Sequence, residues 1–255
     1  MEPHVGQAFF LRVVNMDSGV EFTRLSIAEI ISGSFELEID GLKSGSSYRI
    51  DLFADADGDS AYSIPPEDHA WRIELPSIQA DGMLTFEHNT AFTDIAWAPS
   101  IDGLIDEGEY ANVLHDTATG MAVYWHNDAS TLTLGLVSPG AGWLSIGFGP
   151  EQQMQGANII IASIEDSALA IEDHYGNTTT AHRQDVIDDI IHAVGSELDG
   201  TSILEFAIPL DSGDDQDKAL VAGDEVVIIL AYHDSNDGLT ARHSKRSTNA
   251  ILLSN

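Results

Sequence analysis

Carboxylates at alternate positions mark the first stretch able to do chemistry. Asp51-Leu52-Phe53-Ala54 reads as a strand, and Asp55-Ala56-Asp57-Gly58-Asp59 follows it directly. Three oxygen donors on one side of a loop suit a hard cation such as calcium. The run is not an EF-hand, because glycine falls at its fourth position instead of the sixth and Pro66 stands at the twelfth. Glu67 or Asp68 would have to swing back to complete the shell. The plainer reading is an Asp/Gly hairpin loop whose side chains bond their own backbone.

A soft donor stands in the second stretch. In Gly142-Trp143-Leu144-Ser145-Ile146-Gly147-Phe148-Gly149-Pro150, Trp143, Ser145 and Gly147 alternate with Leu144, Ile146 and Phe148, the period of a strand with one face in a core. Gly149-Pro150 stops the strand, a polar loop delivers Met154, and Gly156 turns the chain into the continuous apolar run Ile159-Ile160-Ile161-Ala162. Met154 is thereby placed at the lip of a sandwich. By default such a methionine plugs a core or sits in an exposed loop. Arg242, Lys245 and Arg246 form the densest basic cluster of the chain; they suit an anionic group, or they temper the acidity of the surface.

Little else suggests catalysis. No Ser/His/Asp order, phosphate-cradling glycine loop or His-x-x-x-His zinc motif is present. His69 and Trp71, with Phe86-Glu87-His88-Asn89, read as matched features of adjacent strands, and His174 and His182 as turn or surface residues. The expectation is a protein that is not an enzyme.

The elements that must position these residues are strands. Strand-like segments separated by Gly, Asp, Asn and Ser turns recur throughout, and no long stretch has a helical period. In the first third they fall near 8–14, 34–39, 48–54, 70–75 and 83–88, which suits a small immunoglobulin-like or transthyretin-like sandwich over residues 1–98. From Ala98-Pro99-Ser100 onward the pattern begins anew. Residues 99–255 offer strands near 122–126, 131–137, 143–148, 158–164, 169–173, 187–194, 202–208 and 226–232, enough for a larger sandwich. The fold class expected is therefore all-β, with two β-sandwich domains.

The second domain resembles the DOMON family. Its opening Ile101-Asp102-Gly103-Leu104-Ile105-Asp106-Glu107-Gly108-Glu109-Tyr110, the Gly-Trp strand, the step Met154-Gln155-Gly156-Ala157-Asn158, then Ala170–Tyr175, Ala181–Asp185 and Leu230–His243 match that family in order. Asn158 stands where many relatives carry aspartate. The resemblance implies a β-sandwich and, in haem-binding members, one b-type haem held by the loop methionine and a residue of the closing loop. Those positions are Met154 and His243, with His233 and Lys245 as rivals for the second. A Met/His pair fills both axial sites of the iron, which implies electron transfer to a redox partner protein instead of oxygen chemistry. On this reading Trp143, Ile146, Phe148 and Leu239 cover the porphyrin, and Arg242, Lys245 and Arg246 meet its propionates. The family is also related to carbohydrate-binding sandwiches, for which Trp125, Trp143 and Tyr175 are the stacking candidates and calcium a stabiliser. A structural or adhesive role is the third reading.

Composition narrows the setting. Across 255 residues, 42 acidic against 10 basic residues give a formal charge of −32 and a pI near 4.2. Such a field repels nucleic acid and anionic membranes, so no nucleic-acid partner is expected. Scarce lysine with abundant aspartate fits adaptation to salt. Without cysteine there are no disulfides, thiolate metal sites or covalently attached c-type haem. No apolar run approaches the ~20 residues of a membrane helix, and Met1-Glu2-Pro3-His4 is not a signal peptide. The expectation is an extracytoplasmic protein, periplasmic, cell-surface or secreted, whose native leader is missing.

Overall fold

The computed structural model describes residues 1–17, 21–58, 62–106, 109–110 and 112–254. Asp59 and the Glu107-Gly108 step of the opening motif lie outside them. The chain forms two compact units, Met1–Ser100 with Asp106–Ala111, and Ile101–Ile105 with Asn112–Asn255. Both are β-structures, and the described residues contain no α-helix. Among them, no helix is long and apolar enough to cross a membrane.

The first unit is built on β1 (Phe9–Asn15), β2 (Glu21–Ile27), β3 (Tyr48–Ala54) and β4 (His69–Leu75), in the antiparallel order β2-β1-β3-β4. Residues 34–39 and 83–88, read as strands from their alternation, pair with no strand; instead they lie extended over the sheet. Phe35, Ile39 and Phe86 pack there onto the face made by Leu11, Val13, Ile50, Leu52 and Trp71. Burial of one apolar face satisfies the alternation whether or not a second sheet forms. On the other face Phe10, Phe53 and Ala70 meet Ile95 and Trp97. Beside them the fully buried carboxylate of Asp51 accepts hydrogen bonds from Arg12 Nε (3.1 Å), Arg49 Nε (3.1 Å) and Arg72 Nε (2.6 Å). Arg12 and Arg72 stand directly across from Asp51 on the neighbouring strands.

In the second unit two antiparallel sheets face each other. Residues β5 (Asn112–His115), β6 (Ala122–Asn127), β7 (Thr131–Ser138), β12 (His192–Leu198) and β13 (Thr201–Pro209) form a five-stranded sheet, in the order β12-β13-β7-β6-β5. The six-stranded sheet holds β8 (Leu144–Phe148), β9 (Asn158–Glu165), β10 (Ala168–Thr178), β11 (Ala181–Gln184), β14 (Glu225–Tyr232) and β15 (Lys245–Leu252), in the order β11-β10-β9-β8-β14-β15. Leu144, Ile146, Phe148, Ile160, Ala162, Ile228 and Leu230 turn inward against Val123, Leu134, Leu136, Leu204 and Phe206. Their neighbours Ser145, Gly147, Ile159, Ile161, Ile229 and Ala231 therefore line the outer face of the six-stranded sheet.

Candidate functional site

The pairing of β8 with β14 positions the two stretches that matter most. Phe148 lies opposite Ile228 and Leu144 opposite Tyr232. Because the strands are antiparallel, loop 149–157 with Met154 leaves one rim of the sheet, and loop 233–244 with His243 leaves the other. The Met154 loop is closed by a bridge between Gln152 and Gln155 and by the Glu151 N–H on the Gln155 carbonyl at 2.8 Å. Glycine then decides where it lies. Gly156 adopts φ +72° and donates to the Gly176 carbonyl at 2.8 Å, and a Cβ on Gly176 would overlap the Met154 carbonyl oxygen. Gly176 follows the outward-facing Ala170, Glu172 and His174 on β10, so the loop folds down over the outer face. Met154 is half-buried there.

At the opposite rim the three residues considered for the second ligand are separated by their bonds. Lys245 Nζ donates to the Thr119 carbonyl at 3.4 Å, toward the other sheet. His233 Nδ1 accepts the N–H groups of Ser235 (3.1 Å) and Asn236 (3.0 Å) and so closes the turn that begins the loop. His243 is half-buried, and its ring is held below the usual imidazole range by burial, then by the charges of Arg246 and Arg242. Arg246 stands across from Ala231, on the outer face. The structure thus groups Arg242, His243 and Arg246 and leaves Lys245 out.

Ile146 and Phe148, two of the expected porphyrin contacts, are fully buried between the two sheets, on the inner face of β8. Trp143 is buried at the His243 rim, where its N–H donates to the Asn236 carbonyl at 3.0 Å; its indole Nε1 has no partner. Between the rims the outer face of β8 carries only Ser145 and Gly147, flanked by Ile159, Ile161 and Ile229. Gly147 is required, since a Cβ there would come within 2.8 Å of Ile229 Cγ1.

A cleft of about 710 Å³ opens beside loop 233–244, lined by Ser163, Glu165, Ala170, His233, Asn236 and Asp237 among others. Its walls are mostly polar, and Asp237 Oδ1 is buried in this region without a partner. Of the three stacking candidates, Trp125 is buried with its Nε1 bonded to the Leu252 carbonyl at 2.9 Å, Trp143 is buried, and Tyr175 lies against the Arg183 guanidinium.

The carboxylates of the first unit converge as their spacing suggests. One oxygen each of Asp55, Asp57 and Asp68 lies within 4.8 Å of the others. Asp68, not the exposed Glu67, returns to the loop; it accepts from Ala56 N (2.7 Å) and Ser63 N (2.8 Å). Burial pushes its carboxyl up to about 6 against the pull of those two bonds, with Asp57 and Asp55 adding to the rise.

Sequence reading missed a second acidic group and a histidine pair. Asp173, Asp189 and Asp217 come together from β10 and two loops. Asp173 is 2% exposed, its Oδ1 lacks a partner, and burial followed by the Asp217 charge pushes it up to about 7. The signal was present in Ile171-Glu172-Asp173, where alternation turns Asp173 inward with Ile171. On the outer face, His174 Nε2 bonds Glu172 Oε2 at 2.7 Å and its Nδ1 lies 2.8 Å from His182 Nδ1. His174 is buried, so it is not the surface residue expected. No local spacing announces this pair, because β10 and β11 meet through an irregular register.

Comparison with known proteins bears on the second unit. Residues 117–233 match the model of the DOMON domain family. The human DBH-like monooxygenase protein 1 is 25% identical over 134 residues, 51% of this chain but only 22% of its own length, so the chain spans about a fifth of that relative. Among solved structures, the cytochrome b domain of pyranose dehydrogenase from Coprinopsis cinerea is similar at 12% identity and a TM-score of 0.44, over 55% of this chain and 80% of that one. The cytochrome domain of Myriococcum thermophilum cellobiose dehydrogenase is similar at 12% identity and a TM-score of 0.39, over 56% and 88%. The second unit of this chain carries a DOMON domain, over residues 117–233.

Proposed function

We propose that the DOMON domain is a non-catalytic b-type cytochrome module in which Met154 and His243 hold one haem for electron transfer with a partner protein outside the cytoplasm. One observation carries the reading: the two donors leave opposite rims of a single sheet face. The four steps from Leu144 to Phe148 span about 14 Å. A methionine reach of about 4–5 Å, an imidazole reach of about 6 Å and two metal–ligand bonds of about 2.0–2.3 Å sum to roughly 15 Å. The ladder between the rims is of the same order as that sum, and loops 149–157 and 233–244 set where the two donors stand above it. The face between them offers small and apolar side chains, and Arg242 and Arg246 stand beside His243 to meet propionates. Lys245, bonded to Thr119, is left out of that role. When bound, haem supplies one-electron redox chemistry tuned by its axial pair. The neutral imidazole favoured at His243 leaves a lone pair for ligation.

Absorption spectra of the pure protein test this. Reconstitution with haemin should give one equivalent with a sharp Soret band and the reduced α and β bands of low-spin haem. Met154→Ala and His243→Ala should each convert the spectrum toward high spin, while His233→Ala and Lys245→Ala should leave it unchanged. Spectra indifferent to Met154 and His243 would refute the assignment.

The polar cleft favours a second reading, a module that binds a small polar ligand without haem. A colourless protein that ignores haemin would select it. In either case the first unit serves as a spacer or docking domain, with calcium held by Asp55, Asp57 and Asp68. Chelation should then lower its melting temperature, and an unchanged transition would remove the calcium.

A further inference from the structure

Three imidazoles meet in the first unit, outside the DOMON domain and apart from the residues proposed to hold haem or calcium. His4 ends a 3₁₀ turn (Glu2–His4), His69 opens β4, and His88 lies in the extended stretch beyond it. One ring nitrogen of each lies within 4.8 Å of the other two. His4 is 1% exposed, and His69 and His88 are half-buried. From this convergence we propose that His4, His69 and His88 form a binding site for a divalent late transition metal, zinc or copper(II), with the remaining coordination position open to water.

The hydrogen bonds around the three rings leave a place for such an ion. His4 Nδ1 lies 2.6 Å from Gln7 Oε1, so that nitrogen carries the proton and His4 Nε2 presents its lone pair. His69 Nδ1 is 3.3 Å from His4 Nε2. For zinc–nitrogen bonds of about 2.0–2.1 Å, the edge of a coordination tetrahedron is about 3.3 Å. His88 Nε2 is buried with no partner, although a buried imidazole nitrogen ordinarily finds one. A cation would satisfy His88 and displace the single proton shared between His4 and His69.

The donor type selects the metal. The group contains imidazole alone, without thiolate or carboxylate, which suits zinc, copper or nickel and not calcium. Supporting contacts hold the three rings in place. The Phe92 ring stacks on His69 at 4.0 Å between centroids, and Trp71 sets its edge against His4 and His88. Trp71 Nε1 also donates to the Asn89 carbonyl at 3.1 Å, tying the His88 segment to β4. An outer shell that orients the ligands is what a metal site needs.

The test uses the whole protein, stripped with chelator and then held in millimolar calcium so that the carboxylate groups are occupied. Calorimetric titration with zinc chloride should show one equivalent bound with micromolar affinity or tighter. One equivalent of copper(II) should give an electron paramagnetic resonance spectrum with superhyperfine splitting from three nitrogens. His69→Gln and His88→Gln should each weaken zinc binding at least 30-fold, while His182→Gln should not change it. The wild-type copper spectrum needs no variant, so it decides the question even if a substituted protein misfolds. Absence of a zinc equivalent, a copper spectrum without nitrogen splitting, or zinc binding that survives the His69/His88 double substitution would overturn the proposal.

Discussion

Replacing Asp173 by asparagine should stabilise this protein at pH 8 and leave it nearly unchanged at pH 4.5. The carboxylate is 2% exposed, Oδ1 is unpartnered, and Oδ2 lies 3.4 Å from the Asp189 N–H. Burial first, and the neighbouring Asp217 second, push its carboxyl from 3.8 to about 7. A folded-state value above the unfolded one means that the native protein binds the proton more tightly. The stabilisation is present below about pH 4 and is lost as the pH rises toward 7. About three pH units at 1.36 kcal/mol each correspond to a cost on the order of 4 kcal/mol for holding the charge above pH 7. Asparagine removes the charge but adds an N–H₂ group that needs a partner, which reduces the expected gain to about 2–3 kcal/mol. For a domain of this size that is a rise of roughly 4–12 °C. Urea unfolding and calorimetry at both pH values, with chelator present so that no cation neutralises the cluster, measure it. Equal effects at the two pH values, or destabilisation at pH 8, would refute the reasoning.

Other outcomes follow from the same structure. Asp51→Asn leaves Arg12, Arg49 and Arg72 around a neutral amide in a buried position, and urea titration should show a loss of about 3–5 kcal/mol. Gly176→Ala forces the Met154 loop off β10, with an expected cost of about 1–3 kcal/mol in denaturant and, in a haem-loaded sample, a shift toward the high-spin spectrum. The charge of −32 should make the melting temperature rise with potassium chloride toward 1 M, where the Debye length is about 3 Å; a flat salt series would end the idea of salt adaptation.

Much of the frame was legible along the chain. Alternation around Trp143–Phe148 and the unbroken apolar run at Ile159–Ala162 identify neighbouring strands, because side chains in a strand change face at every residue. The order of motifs from Ile101 to His243 was enough to recognise the DOMON domain. The Asp55–Asp68 group was legible too, since its members are close in sequence. Residues 34–39 and 83–88 were misread because alternation reports an apolar face, not a hydrogen-bonded neighbour. Glu21–Ile27 and Lys245–Leu252 escaped notice because their faces are only partly apolar.

The amino-acid order by itself determined the all-β class, the acidic surface, the absence of thiol chemistry and the place of Met154 in a loop after a strand. Tertiary structure alone decided which distant side chains meet. His4, His69 and His88 converge because a terminal turn and an extended stretch close over one end of β4, and Asp173 meets Asp217 because two loops fold beneath β10. It also set Lys245 against the Thr119 carbonyl and His233 against the Ser235 and Asn236 N–H groups, and turned Phe148 into the core. The physical reason is the same in each case: a strand's face follows from local periodicity, but contact between strands and loops depends on register and chain return, which no short stretch of sequence encodes.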